Sequence, residues 1–404
     1  MAIGRLAIVG AGVAGLTAAI GLARAGIPVR LFEQSPALTE IGAGLQLSPN
    51  ATRILTEFGV LPLLMPAAVR PERIALRKAT SLRRLSSVPL GAWASERWGS
   101  PYLTVHRADL QAALLARARQ LADIELVTGA ALRDAAFHAD GVTLSIEHDG
   151  AIREERAALV VGADGVWSAL RGLAFGRAES RDTGYIAWRT VVRPGGDTIV
   201  AADEVTAFLH PDFHLVAYPV RAGGAVNLVA VTRGRAGIGW SNEAGAALLE
   251  QAMAGTAAPL RALVAGAGVG AGPGPWTTWP IHEAPALPRW TEPSGLALIG
   301  DAAHAMPPYA AQGAAMAIED AAVIARLAAR SGGDVGTLLA AYERMRRPRI
   351  RRVAARGAFN RFTWHARGPV ALARDLAMAA RPQAANARDL DWLYGWKMED
   401  EAGL

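Results

Sequence analysis

Near its start, the 404-residue chain reads Gly10-Ala11-Gly12-Val13-Ala14-Gly15, a G-x-G-x-x-G sequence from which its fold can be predicted. A short apolar strand precedes it at residues 5–9, and a helix follows from Val13 to a stop near Gly26. In such a turn the first glycine makes the bend, the second admits a pyrophosphate to the backbone, and the third lets helix and strand pack closely. The first helical residues, Val13 and Ala14, then offer N–H groups and a positive dipole end to the phosphates.

A second strand at residues 28–33 completes a βαβ unit, because it ends in an acid 18 residues after Gly15. The carboxylate of Glu33 can accept hydrogen bonds from both ribose hydroxyls of an adenosine moiety, and Gln34 follows it at the same edge. The alternative is a glycine-rich helix that only packs closely against its strand. A second glycine cluster, at residues 266–274, lacks a preceding strand and contains prolines, so we predict a loop there and one dinucleotide site in the chain.

Composition excludes several classes of protein. With 51% hydrophobic residues the chain can fill a large core, so disorder is excluded as its dominant state. The absence of cysteine removes disulfide scaffolds, thiolate metal sites and thiol nucleophiles. The apolar run at residues 7–26 has the length of a membrane-spanning helix, but its glycine spacing suits the dinucleotide turn better. A cytoplasmic location fits this composition.

Two further segments carry specific motifs, residues 159–171 (LVVGADGVWSALR) and residues 296–320 (LALIGDAAHAMPPYAAQGAAMAIED). Together with the first turn, they resemble the three fingerprints of the single-component FAD-dependent aromatic hydroxylases. That family contains the para-hydroxybenzoate, salicylate and 6-hydroxynicotinate hydroxylases. The match runs in order along most of the chain, and its last segment is the most specific.

Two smaller matches agree with this resemblance. Residues 41–50 (IGAGLQLSPN) are similar to the family loop that passes over the flavin ring, which implies Ala43 as a cofactor contact and Gln46 as a substrate contact. Arg107 is similar to the arginine at a helix start that reaches FAD, although it can equally be a surface helix residue.

Two residues in the longer motifs have an ordinary structural alternative. Asp164, with Gly165 after it, resembles the family motif implicated in binding both FAD and NAD(P)H, but Asp-Gly is also common in a turn at the end of a strand. We interpret His304 as a turn residue that satisfies backbone groups, because the family keeps it without using it as a base.

The last segment also makes chemical sense by itself. Asp301 follows an apolar strand, where an acid can bind a sugar-like chain, here the ribityl hydroxyls, or can cap a helix. Pro307 stiffens the next turn, and Gln312 then opens a helix with free N–H groups. These groups, extending to Gly313 and Ala314, can face the flavin pyrimidine and stabilise the negative charge of reduced flavin.

The resemblance implies an α/β fold with three parts. These are a Rossmann-like FAD-binding domain of the para-hydroxybenzoate hydroxylase type, a mostly antiparallel β-sheet substrate domain and a C-terminal helical segment. Short alternating strands between residues 180 and 280 support the sheet. We predict a discontinuous FAD-binding domain at residues 1–70, 100–178 and 281–345, the substrate domain at 71–99 and 179–280, and the helical segment at 346–404.

The substrate side is predicted from two of those strands, residues 185–189 (YIAWR) and 213–219 (FHLVAYP). His214 and Tyr218 share one face, since residues two and four apart in a strand point the same way, and we predict both as catalytic. A ring-binding pocket needs a flat apolar surface and a few polar groups. The residues predicted to contact substrate are Gln46, Trp188, Arg189, His214, Tyr218 and Pro307.

The His-x-x-x-Tyr pair looks like one in the 6-hydroxynicotinate hydroxylases, where both residues help to bind and activate substrate. That branch also has a histidine in the flavin loop, where this sequence has Gln46. Deprotonation therefore falls to His214, to a water, or to no group at all if the substrate arrives ionised. The alternative for His214 and Tyr218 is an outward-facing strand pair with ordinary hydrogen bonds.

The net charge of +6 comes from one local stripe. Residues 344–367 contain nine arginines and no acidic residue, and acidic residues outnumber basic ones elsewhere. This distribution argues against a nucleic-acid groove and favours a helix with a solvated face, which touches a neighbouring subunit or attracts anionic NAD(P)H or substrate. The aromatic stretch at residues 391–396 is expected to dock on the body of the protein.

The resemblance implies a monooxygenase that contains FAD and consumes NADH or NADPH. The resemblance further implies that hydride would reduce the flavin, that dioxygen would add to its C4a carbon, and that the terminal oxygen of that hydroperoxide would attack a small planar aromatic ring. Salicylate, hydroxybenzoates and hydroxynicotinates are the implied substrates. No metal, nucleic acid or membrane partner is predicted, and the chain is expected to be a monomer or a homodimer.

Two alternatives stay open from the sequence. One is another FAD-dependent oxidoreductase of the same fold, a reductase or a halogenase, although the Trp-x-Trp signature of halogenases is spaced differently here, as Trp276-Thr-Thr-Trp279. The other is a dinucleotide-binding protein without turnover.

Overall fold

The structure is a computed structural model that describes residues 6–38, 43–176, 179–193, 199–234, 247–266 and 276–400. The strands within these residues are β1 (Leu6–Val9), β2 (Val29–Glu33), β3 (Gly44–Leu47), β4 (Arg73–Lys78), β5 (Arg84–Pro89), β6 (Leu103–His106), β7 (Ile124–Thr128), β8 (Ala131–His138), β9 (Gly141–His148), β10 (Ala151–Ala157), β11 (Leu159–Gly162), β12 (Arg181–Val192), β13 (Glu204–Leu209), β14 (Phe213–Val220), β15 (Ala225–Arg233), β16 (Thr277–Glu283), β17 (Thr291–Glu292) and β18 (Leu296–Leu298).

The helices within the same residues include four long ones that matter for the site, α1, α5, α10 and α11. In chain order they are α1 (Val13–Arg24), α2 (Pro49–Glu57), α3 (Leu61–Leu64), α4 (Gly91–Trp98), α5 (Arg107–Arg119), α6 (Ala169–Phe175), α7 (Ala247–Ala252), α8 (Ala258–Gly266), α9 (Asp301–His304), α10 (Gly313–Arg330), α11 (Val335–Trp364), α12 (Gly368–Ala380), α13 (Gln383–Arg388) and α14 (Asp391–Tyr394).

A six-stranded sheet in the order β17-β18-β11-β1-β2-β7 forms the centre of the first domain. Adjacent strands of this sheet run parallel, except that the edge strand β17 is antiparallel to β18. Every residue of β1 is buried, as expected for a parallel strand covered on both faces. The predicted strand–turn–helix is confirmed, and the apolar run at residues 7–26 is divided between β1 and α1. Gly26, in the left-handed region at φ +74°, follows the end of α1.

Helix α1 packs between α10 and α5 with ten of its twelve residues buried. Such an apolar helix is stable only inside the protein, so it forms the core of this domain together with the sheet. Among the described residues, no helix combines the length and the apolar character that crossing a membrane requires.

A seven-stranded sheet in the order β16-β12-β15-β14-β13-β4-β5 forms the second domain. Its neighbours are antiparallel except for β13 and β4, so the predicted mostly antiparallel sheet is confirmed. One face packs against α7 and α8 around a separate core that contains Trp188, Phe208 and Leu215. Alternation along the strands therefore turns His214 and Tyr218 to the opposite face, which meets the first domain.

The C-terminal helices cover both domains. Helix α11 runs for 30 residues and continues through Pro348, so the boundary that we predicted at residue 346 falls inside one helix. The aromatic end at residues 391–396 docks as predicted, because Arg349 donates hydrogen bonds to the carbonyls of Trp392 and Leu393. The predicted glycine-rich loop at 266–274 lies outside the described residues, apart from Gly266 at the end of α8.

Candidate active site

The three glycines of the first turn have distinct surroundings. Gly10 has φ +99°, and a Cβ there would lie 2.4 Å from the Ala163 carbonyl oxygen. A Cβ at Gly15 would lie 1.8 Å from the Gly10 carbonyl oxygen, so helix and turn touch there. A Cβ at Gly12 would meet nothing within 4 Å. Gly12 therefore leaves open space at the N-terminus of α1, beside the first helical residues Val13 and Ala14.

The acid at the end of β2 lies close to this turn. The Glu33 carboxylate accepts hydrogen bonds from the backbone N–H of Ala11 (2.8 Å) and of Ser35 (2.9 Å). These contacts hold the carboxylate beside the glycine turn, where a ribose would have to lie for a dinucleotide bound there. The side chain of Gln34 is exposed next to it.

The two carboxylate oxygens of Asp164 have different surroundings. One carboxylate oxygen, Oδ2, accepts a hydrogen bond from the Leu170 N–H at 3.0 Å and so helps to cap α6. The other, Oδ1, is buried without a hydrogen-bond partner among the described residues. Burial raises the pKa of Asp164. A buried carboxylate oxygen without a donor is costly, so a ligand that donates to it would stabilise this turn.

The last motif places its residues at two helix starts. Asp301 is exposed at the first position of α9, directly after Gly300. Gly313 and Ala314 open α10, and a Cβ at Gly313 would meet nothing within 4 Å. The side chain of Gln312 is buried and its amide nitrogen donates to Ser48 Oγ at 3.0 Å, so this residue can reach a ligand only through its backbone.

The loop expected to pass over the flavin joins the two domains. Its first residues, Ile41 and Gly42, lie outside the described residues. The Ala43 carbonyl accepts a hydrogen bond from the N–H of Arg107, an exposed residue at the start of α5. The Gly44 N–H donates to Asn227 Oδ1 of the seven-stranded sheet at 2.6 Å.

Close contact with the seven-stranded sheet explains why residue 44 is a glycine. A Cβ at Gly44 would lie 2.7 Å from Cε2 of Tyr218 and 2.9 Å from Cγ of Asn227. The loop therefore packs directly on the predicted substrate face. Further along, Gln46 Oε1 accepts a hydrogen bond from the Tyr102 hydroxyl at 2.7 Å.

A buried ionic network lies behind these cofactor elements. Arg346 donates to Glu319 and to Asp320, each at 2.7 Å, and all three side chains are 0% exposed. Asn50 of the flavin loop also donates to Glu319, at 2.6 Å. Burial opposes ionisation of Asp320, but its contacts with His304 and Arg346 outweigh burial and lower the pKa of Asp320. The network therefore fixes the loop and α10 relative to α11.

The network corrects two predictions. The arginine stripe is not wholly solvated, because Arg346 and Arg349 point inward and pair with the carboxylates of α10. Nor does His304 serve backbone groups, because its Nε2 lies 2.5 Å from the Asp320 carboxylate. Asp320 also accepts from the Gly300 N–H at 2.9 Å, so this cluster positions the turn that carries Asp301.

The substrate face brings His214 and Tyr218 into buried positions. The His214 ring lies among the rings of Tyr309, Trp364 and His365, with centroids 5.1–5.3 Å away. Neither the Tyr218 hydroxyl nor His214 Nε2 has a hydrogen bond to any of the described residues. Within the described part of the chain, both groups are therefore available to a ligand.

Burial also determines the ionisation of these two residues. Burial, together with a smaller contribution from the neighbouring His365, lowers the pKa of His214 to about 3. Burial raises the pKa of Tyr218, although the positive charge of Arg189 opposes that shift. At neutral pH the site thus holds an uncharged imidazole and a protonated phenol.

The other predicted substrate residues do not all join this face. Arg189 lies on it, near Tyr218. Trp188 lies on the opposite face, fully buried against α7 and α8, and donates from Nε1 to Thr232 at 2.9 Å. Strand alternation separates it from its neighbour Arg189, so it cannot contact the same ligand as Tyr218. Pro307 lines a cavity of about 430 Å³ beside α11, whose lining includes Tyr309 but neither His214 nor Tyr218.

Sequence reasoning missed several residues of the site. Asn227 is fully buried and its Nδ2 has no hydrogen-bond partner among the described residues, and the same holds for the buried Tyr309 hydroxyl. For Asn227, the signal available in the sequence was a single asparagine within the apolar strand β15. Nothing in the sequence pointed to His365, which approaches His214 only because α11 ends beside β14.

These features fit FAD. The turn at Gly12 has room for a pyrophosphate, Glu33 stands where a ribose would bind, and Asp164 has an unused buried oxygen. The open N-terminus of α10 offers N–H groups at Gly313. A parallel-sheet domain with this dinucleotide site, joined by its loop to a polar sheet face, defines a two-domain flavin-dependent enzyme.

Comparison with known proteins agrees with this class. A family model described as FAD binding domain matches residues 5–357. The chain is 35% identical to 3-amino-4-hydroxybenzoate 2-monooxygenase PtnB3 of Streptomyces platensis, over 97% of this chain and 96% of that protein. It is also 35% identical to 6-hydroxynicotinate 3-monooxygenase of Bordetella bronchiseptica, over 86% and 89%. The structure of Klebsiella pneumoniae HpxO complexed with FAD and uric acid superposes with a TM-score of 0.83 at 26% identity, covering 96% of each chain. This chain therefore belongs to the family of FAD-dependent aromatic hydroxylases.

Proposed function

We propose that this hydroxylase uses NADH or NADPH and dioxygen to hydroxylate a small planar aromatic acid that carries a ring hydroxyl. The observation that carries the proposal is the contact between the flavin loop and the polar sheet face, where Gly44 packs on Tyr218 and Asn227. A ring bound on that face would lie beside the loop that is expected to cross the flavin. The class includes salicylate, other hydroxybenzoates and hydroxynicotinates.

The two buried side chains have complementary hydrogen-bonding roles. His214 is neutral, so one nitrogen of its imidazole accepts a hydrogen bond from the substrate hydroxyl. This hydrogen bond draws the hydroxyl proton away from the substrate oxygen. Tyr218 stays protonated and donates a hydrogen bond to an oxygen of the substrate. Electron density moves from the hydroxyl into the ring, which makes the ring carbons better nucleophiles.

The charge on this face favours an acidic substrate. Arg189 lies near enough to Tyr218 for its positive charge to oppose the rise in the pKa of that phenol. A carboxylate on the aromatic ring would complement this charge. Both relatives described above are named for ring acids that carry a hydroxyl group, an aminohydroxybenzoate and a hydroxynicotinate.

The first domain would hold the cofactor. When bound, FAD supplies the redox chemistry that takes electrons from NAD(P)H and delivers oxygen from dioxygen to the ring. The turn at Gly12 and the carboxylate of Glu33 would bind its adenosine diphosphate half, and Asp301 its ribityl hydroxyls. The N–H groups at Gly313 would face its pyrimidine ring, and the packing of Gly44 on Tyr218 would keep water from the reacting carbon.

A pair of variants separates the two halves of the site. Asp301→Ala removes the ribityl contact and should weaken FAD retention by tenfold or more, equivalent to about 1.4 kcal/mol. Tyr218→Phe should keep FAD but lower substrate-stimulated turnover by about 10²-fold, because a buried hydrogen bond to the substrate is lost. FAD is measured by its visible absorbance after gel filtration, and turnover by NAD(P)H oxidation. Equal loss of FAD in both variants would contradict this division of roles.

A further inference from the structure

Two imidazoles form a hydrogen-bonded pair where α11 meets the substrate face. His365 follows the last residue of α11, and its Nε2 lies 3.1 Å from Nδ1 of His214. On its other side, Nδ1 of His365 lies 3.3 Å from the carbonyl oxygen of Pro211. A series of hydrogen bonds thus runs from the Pro211 carbonyl, between β13 and β14, through His365 to His214.

The carbonyl oxygen determines where the protons lie. A carbonyl oxygen can only accept a hydrogen bond, so Nδ1 of His365 must donate to Pro211. A neutral His365 then has an unprotonated Nε2, which accepts a hydrogen bond from Nδ1 of His214. His214 therefore carries its proton on Nδ1 and leaves a lone pair on Nε2.

The surroundings keep both rings uncharged. Burial is the main cause that lowers the pKa of each. The hydrogen bond to the Pro211 carbonyl is the next largest influence and opposes this shift of the His365 pKa, whereas the charges of Arg233 and Arg361 add to it and Asp212 opposes it least. The rings of Tyr309, Trp364 and Tyr185 also lie against the pair. None of these neighbours makes a hydrogen bond to His214 Nε2 within the described part of the chain.

We propose that His365 is a positioning residue that holds His214 as the Nδ1–H tautomer, so that Nε2 of His214 accepts the hydrogen bond of the substrate's ring hydroxyl. The proposal rests on the proposed function for the identity of the substrate group, but the tautomer itself is a property of the free protein. Without His365, the His214 ring would have no acceptor for its Nδ1 proton and would exchange tautomers or rotate. His365 would thus act on the reaction without touching substrate.

Nitrogen NMR of the FAD-loaded protein labelled with ¹⁵N-histidine tests the tautomer. The chain has eight histidines, so the His214 signals are identified by their loss in His214→Asn. The native protein should show His214 as a neutral Nδ1–H ring, and His365→Phe should convert it to the Nε2–H form or to a mixture. His365→Gln should retain the native form, because its amide can both donate to Pro211 and accept from His214. An Nε2–H ring in the native protein, or no change in His365→Phe, would overturn the proposal.

Turnover provides the second readout. With a substrate that stimulates the native enzyme, His365→Phe should lower kcat at least tenfold without loss of bound FAD, and His365→Gln should recover most of it. Thr363→Ala is the matched control, since among the described residues the Thr363 hydroxyl bonds only to carbonyls of its own helix, those of Phe359 and Asn360. Native turnover in His365→Phe would reject the positioning role. Should no aromatic stimulate the native enzyme, the proposed function fails, whereas the tautomer is still decided by the NMR measurement.

Discussion

Two glycines three residues apart lack side chains for different reasons. A methyl group at Gly15 would collide with the Gly10 carbonyl, whereas one at Gly12 would enter open space that we assign to the pyrophosphate. Gly15→Ala should therefore lower the free energy of unfolding of the apoprotein by about 2 kcal/mol or more. Gly12→Ala should cost the apoprotein less than about 1 kcal/mol but weaken FAD binding tenfold or more. Urea unfolding of the apoproteins and titration with FAD measure both effects, and loss of stability in Gly12→Ala with unchanged FAD affinity would argue against the assignment.

Buried His214 should also make stability depend on pH. Its pKa is about 3 in the folded protein and about 6.5 when unfolded, so between these values the unfolded chain binds a proton that the folded one does not. The free energy of unfolding should then fall as the pH drops below about 6.5, by up to about 1.4 kcal/mol per pH unit from this residue. Urea unfolding between about pH 6.5 and 4.5 should give a shallower dependence in His214→Gln than in the native protein. Identical slopes would show that His214 is protonated equally in both states.

Individual residues differ in how far the sequence predicts them. The shared face of His214 and Tyr218 follows from strand alternation, which is a local rule. The same rule places Trp188 on the face opposite its neighbour Arg189. The prediction that both residues contact one substrate therefore contradicted strand alternation and was wrong. The ionisation of His214 was not predictable, because its neighbours Tyr309, Trp364 and His365 come from distant parts of the chain.

At the scale of elements, buried ion pairs join α10 and α11, although charged side chains are normally found at the surface. Arg346 donates to two buried carboxylates, and its removal would leave Glu319 with Arg349 and Asp320 with His304 while taking one positive charge out of the buried network. Arg346→Met should therefore lower the free energy of unfolding by about 3–5 kcal/mol. Arg344→Met, an exposed residue on the same helix, is the matched control and should stay within about 0.5 kcal/mol of the native value. Equal effects of the two substitutions in urea unfolding would mean that the network contributes nothing specific.

The arginine stripe shows that a run of like charges in a sequence does not reveal which of its side chains are buried. Residues 344–364 belong to α11, as predicted for the longer segment 344–367, but the sequence does not reveal which arginines point inward. Arg346 and Arg349 do so because Glu319 and Asp320 lie on the facing side of α10. The pair of acids stands at the end of the most specific motif, and only the packing of two helices shows that they are paired with arginine rather than with a ligand.

At the scale of the whole molecule, the two sheets could be predicted because their signals are local. Glycine spacing, apolar strands that end in acids and short alternating strands each specify one element and its neighbours. Such local rules could not predict the contact between the domains, because it depends on Gly44 of the loop packing on Tyr218 and Asn227 of the second sheet. That contact is where the proposed substrate site lies.

The proposed reaction is hydroxylation of an aromatic acid at this contact. The measurement is oxidation of NADH and of NADPH by the FAD-loaded protein with a panel of hydroxybenzoates and hydroxynicotinates, with product mass and peroxide followed. We predict that at least one ring acid stimulates oxidation and yields a product about 16 Da heavier, or its decarboxylated counterpart. Stimulation that yields only peroxide from every compound, or no stimulation by any of them, would contradict the proposed reaction.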